Sequence, residues 1–73
     1  MSSKVSFRVL TCQGAPVPRQ QVIVRVCGRY EYGITDAEGF VAFPLSPNVQ
    51  GKVIVQGQTR YLGALALREV LLN

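Results

Sequence analysis

Apolar and polar side chains alternate along most of this chain in short runs broken by Gly, Pro and Asn, the period of half-buried β-strands rather than of helices. Over residues 4–11, Val5, Phe7 and Val9 share one face, while Lys4, Ser6, Arg8 and Leu10 share the other. Residues 21–27 repeat the pattern, with β-branched Val22, Val24 and Val26 set against Gln21, Ile23, Arg25 and Cys27. A third strand is predicted over 30–35, where Tyr30, Tyr32 and Ile34 lie on one side. A fourth, over 40–45, places Val41, Phe43 and Leu45 inward and Phe40 and Ala42 outward. Residues 52–56 form a fifth, and a sixth starts at Thr59.

The connections carry turn chemistry. In Thr35-Asp36-Ala37-Glu38-Gly39, an Asp heads a turn where its carboxylate can accept from backbone N–H groups two residues on, and a Gly closes it at positive φ. Gly14, Pro16 and Pro18 bar residues 12–19 from regular ladder pairing and make that segment a turn or a stiff edge. Ser46, Pro47, Asn48 and Gly51 mark another loop.

Residues 62–73 are an apolar C-terminal segment rich in Leu and Ala. Ala, Leu, Arg and Glu there favour helix by propensity, whereas the all-strand context favours a last strand. Either way the segment closes the chain's own sheet or packs on a neighbouring subunit.

Composition narrows the class. The 73 residues form one small domain, and a body of this size buries only about 60% of the surface its unfolded chain exposes. Yet 48% of the residues are hydrophobic and only 16% charged, more apolar surface than so thin a core absorbs, which points to a partner. The net charge of +4 comes from scattered Lys and Arg rather than a basic stripe. Cys12 and Cys27 fall at opposite ends of a predicted hairpin, too far apart to bridge, and are expected as free thiols. Two cysteines without any histidine are too few for a closed zinc site. No run is long enough to span a bilayer as a helix, and Met1-Ser2-Ser3-Lys4 leads into a strand rather than a signal-peptide core. The expected setting is cytoplasmic, or inside a virion or secretion particle.

Taken together, the Gly14-Ala15-Pro16-Val17-Pro18 loop between two strands, the Thr35-to-Gly39 turn, and Val41 and Phe43 after it resemble the transthyretin-like, carboxypeptidase regulatory-like group of small sandwiches. Bacterial immunoglobulin-like repeats share these turns. The resemblance implies an all-β Greek-key sandwich of about seven short antiparallel strands, used as an adhesive or assembly module. It does not extend to the group's hydroxyisourate hydrolases, which depend on histidines and a C-terminal Tyr-Arg-Gly-Ser. This chain has no His and ends Val70-Leu71-Leu72-Asn73. Lys4 and Asn73 stand where related pilin-like domains form an isopeptide bond, but the acid that bond needs near Val55 and Gln56 is missing.

No nucleophile with a base, phosphate loop or cofactor fingerprint is present, so neither enzymatic activity, a cofactor nor a small-molecule substrate is expected. The expected function is a structural or assembly protein acting through protein contacts, self-association among them. A virion head-decoration, neck or tail component, or a secretion-apparatus subunit, would suit it. The candidate interface residues are Arg8, Leu10, Ile23, Arg25, Tyr30, Tyr32, Phe40, Tyr61, Leu65 and Leu71, with Gly14, Pro16, Asp36 and Gly39 as turn residues. The alternative is a small basic nucleic-acid binder, its phosphates on Arg8, Arg25, Arg29 and Arg60 and its bases on Tyr30, Tyr32 and Tyr61.

Overall fold

Two hairpins organise the larger sheet. In each, a two-residue loop joins the strands with both central residues at positive φ: Cys27 (51°) and Gly28 (77°) in one, Gln56 (57°) and Gly57 (75°) in the other. This is the type I′ geometry whose twist matches that of paired strands. The first loop joins β2 (Gln21–Val26) to β3 (Arg29–Ile34), and the second joins β5 (Gln50–Val55) to β6 (Gln58–Ala64). Antiparallel pairing of β2 with β5 fuses the hairpins into a four-stranded sheet of order β3-β2-β5-β6.

The computed structural model describes residues 4–72. Its second sheet has three strands in the order β4-β1-β7, built from β1 (Val5–Thr11), β4 (Phe40–Phe43) and β7 (Glu69–Leu72). The described residues are thus all-β, with seven strands in two sheets. β5 returns beside β2, and β3 lies next to β4 where the chain crosses from one sheet to the other, giving the spatial order β5, β2, β3, β4 of a Greek key. One pairing departs from the antiparallel expectation. β7 runs parallel to β1, with Val9 opposite Val70 and Leu10 opposite Leu71. The C-terminal segment is therefore a strand of the chain's own sheet, reached through residues 65–68 after β6 ends.

The period-2 reading locates the core. Val5, Phe7 and Val9 meet Val22 and Val24, Val41 and Phe43, and Val53 and Val55 between the sheets, where the Phe7 and Phe43 rings stack 5.9 Å apart. Val26 and Leu45 are half-buried and pack against this cluster rather than within it. At Gly33 on β3 the sheets come so close that an added Cβ would lie 2.8 Å from Val41 Cγ2.

The polar turns hold the sandwich ends. Asp36 Oδ1 accepts from the backbone N–H of Glu38 at 2.8 Å and of Phe40 at 3.0 Å, and Gly39 sits at φ 85° beneath the Val9 carbonyl. The segment after Gly14 turns back along β1, where Pro16 bridges Leu10 and the Val17 N–H donates to the Val9 carbonyl.

Candidate interaction surface

Strand register decides which outward side chains become neighbours. On the four-stranded sheet, β3 places Tyr32 opposite Ile23 and Tyr30 opposite Arg25. β5 extends both rows, with Ile54 beside Ile23 and Lys52 beside Arg25, and β6 adds Leu62 beside Lys52. The result is an apolar row of Tyr32, Ile23 and Ile54 running across three strands. Tyr30, Ile34 and Leu62 border it. Tyr32 is 63% exposed, Ile34 67% and Leu62 74%.

The charge on this face has one sign. Arg25 and Lys52 stand directly opposite each other across β2 and β5, and no acidic residue shares their outward positions. The Arg25 guanidinium lies 5.7 Å from the Tyr30 ring centroid, a cation–π contact. Beside the two cations an open groove of about 290 Å³ runs past Cys27, Gly28, Gln50 and Leu62. The single ion pair among the described residues joins Arg29 to Glu31 at 3.2 Å, so none of them neutralises Arg25 or Lys52.

The opposite sheet presents a smaller surface. Phe40 is 44% exposed, with the Arg8 guanidinium 5.1 Å from its ring centroid, and Arg8 Nε donates to the Glu38 carbonyl at 2.8 Å. Leu71 is exposed on β7.

Several sequence-based candidates do not lie on a surface. Leu10 has the outward parity of Arg8 but is buried, because Pro16 on one side and Leu71 on the other flank it in the ladder. Leu65 is also buried: β6 ends before it, its N–H donates to the Val49 carbonyl, and its side chain lies over Gly51. Tyr61 is half-buried against the core, with its hydroxyl donating to the Ala64 carbonyl. A bulge shifts the register between Val53 and Ile54, which pair with Tyr61 and Thr59, so that Tyr61 stands opposite inward Val53. The sequence-based interface set omits Ile34, Ile54, Lys52 and Leu62; the alternation of Lys52 and Ile54 with Val53 and Val55 was the available signal.

The proposed nucleic-acid set is split by the fold. Arg25, Tyr30 and Tyr32 share one face, Arg8 lies on the other sheet, and Arg60 donates to the Val55 carbonyl and Gln56 Oε1. Cys12 and Cys27 are both free and exposed. Among the described residues no three His, Cys, Asp or Glu side chains gather as a metal-ion group, and no helix is long and apolar enough to cross a membrane. Asn73, the isopeptide candidate, lies outside the described residues. Comparison with known protein families, curated proteins and solved structures found no match to this chain.

Proposed function

We propose that this protein is a non-catalytic assembly module that works by protein–protein contact, association of its own copies included, through the outer face of the four-stranded sheet. The observation that carries the reading is the apolar row Tyr32, Ile23 and Ile54, with exposed Ile34 and Leu62 beside it. Burying such a face releases ordered water and drives association with little salt dependence. The resemblance to transthyretin-like modules rests on the turn motifs, and the two-sheet arrangement is that of a small β-sandwich in general. We extend the proposal to a virion or secretion particle, where many copies of a small sandwich pack side by side.

Single-stranded nucleic acid is the competing reading, and the Arg25–Tyr30 contact beside Tyr32 favours it. Against it, Ile23, Ile34, Ile54 and Leu62 offer bases no ring to stack on. The deciding experiment is the solution mass by light scattering across concentration and salt. Oligomers that shrink when Tyr32→Ser and Ile34→Ser are combined support the assembly reading. A monomer throughout, together with salt-sensitive binding of a single-stranded oligonucleotide, overturns it.

A further inference from the structure

The Arg25 and Lys52 pair is costly in the isolated chain. Like charges directly opposite on neighbouring strands repel, and neither has an acidic partner among the described residues. Two such faces that dock with their strands running the same way bring four cations together. A symmetric dimer of that arrangement is thereby disfavoured, and the cation pair is answered best by a different surface that carries carboxylates.

The same chain has one. Asp36 and Glu38 project from a single turn, two residues apart, and the exposed Phe40 ring follows them on the three-stranded sheet. The Glu38 carboxylate has no ion-pair partner among the described residues. Two carboxylates beside an aromatic ring, with the single cation of Arg8 over that ring, leave a net negative patch to answer two cations one strand spacing apart beside Leu62 and Ile54.

The positions of the two patches matter as much as their charge. Arg25 and Lys52 lie at the end of the larger sheet next to the Cys27–Gly28 loop. Ile34 pairs with Gln21 at the other end of the same strands, and Asp36 and Glu38 lie just beyond it. The patches therefore sit at opposite ends of the sandwich, with Phe40 on the opposite sheet, and one copy cannot bring its own together.

We propose that copies of this chain associate head to tail, the Arg25–Lys52 patch of one receiving the Asp36–Glu38–Phe40 patch of the next. The inference rests on the assembly reading above and names its partner. A heterologous contact of this kind leaves a free patch at each end of every oligomer, so growth continues unless the rotation closes a ring.

Two charge-reversed variants test it, one carrying Arg25→Glu and Lys52→Glu, the other Asp36→Asn and Glu38→Lys. The Asn keeps an oxygen for the turn's N–H groups, and Lys52→Glu alone serves if the first variant melts early. Measured by sedimentation velocity at low salt, the wild type should grow past a dimer with concentration. Each variant alone should associate about tenfold or more weakly, since both its ends then carry one sign. Mixing the two should restore growth, because each then meets its complement at both ends. If the wild type associates but stops at a closed dimer, or the variants associate like it, or mixing restores nothing, head-to-tail docking is wrong while the assembly reading stands. A wild-type monomer at every concentration overturns self-association itself.

Discussion

The hydroxyl of Thr35 donates to the Val17 carbonyl at 2.7 Å, tying the end of β3 to the connection between β1 and β2. The same oxygen accepts from the Gln20 N–H at 2.8 Å, and the Thr35 backbone exchanges bonds with Arg19 and Gln20. Thr35 is only 3% exposed, so without its hydroxyl the Val17 carbonyl and the Gln20 N–H lose their buried partner, while the backbone bonds remain. Replacing it with Val should cost about 1–3 kcal/mol in urea unfolding, whereas Thr35→Ser should stay close to wild type.

Phe43 and Phe40 lie on one short strand and face opposite ways. Phe43→Ser removes a buried ring stacked on Phe7 and should cost about 3–5 kcal/mol, enough to abolish a cooperative melt in so small a core. Phe40→Ser loses the contact with Arg8, worth about 0.5–1 kcal/mol, from a ring that is 44% exposed, and should lower the melt far less than Phe43→Ser while weakening self-association. Equal effects of the two on thermal unfolding would contradict the inward and outward assignments.

At Gly39, positive φ coincides with crowding. A Cβ there would stand 2.7 Å from the Val9 carbonyl oxygen, whereas at Gly14, with φ 86°, it would meet nothing within 4 Å. Gly14→Ala should carry only the left-handed penalty of about 1–2 kcal/mol. Gly39→Ala should cost clearly more, as a lower midpoint in the same denaturation series.

Leu62 and Leu65 look alike in sequence. Leu65→Ala should cost about 2–5 kcal/mol because it opens a cavity over Gly51. Leu62→Ala should stay within about 0.5 kcal/mol, since the side chain is mostly in water. Calorimetric melts of the two separate a core leucine from a surface one.

That last pair shows where the sequence ceases to be readable. Parity locates Val5, Phe7, Val9, Val22, Val24, Val41 and Phe43 correctly, because within one strand the alternation follows from local geometry alone. It fails at Leu10, whose burial depends on Pro16 and Leu71 arriving from distant parts of the chain, and at Tyr61, whose face is set by a bulge. The candidate surface was half legible. Tyr30 and Tyr32 stand out on their own strand, but their continuity with Ile54 and Lys52 exists only through the non-local pairing of β2 with β5.

The parallel partnership of β1 and β7 governs how this molecule comes into being. Val9 waits for Val70, and Arg8 for Glu69, across almost the whole chain. Until residues 69–72 have emerged, the smaller sheet lacks one edge, and Val70 and Leu72 are missing from the core. Closure by such distant pairing places the chain among slow folders, in the millisecond-to-second range of β-sandwiches. A nascent chain truncated before β7 would be a half-closed, sticky intermediate rather than a smaller version of the folded one.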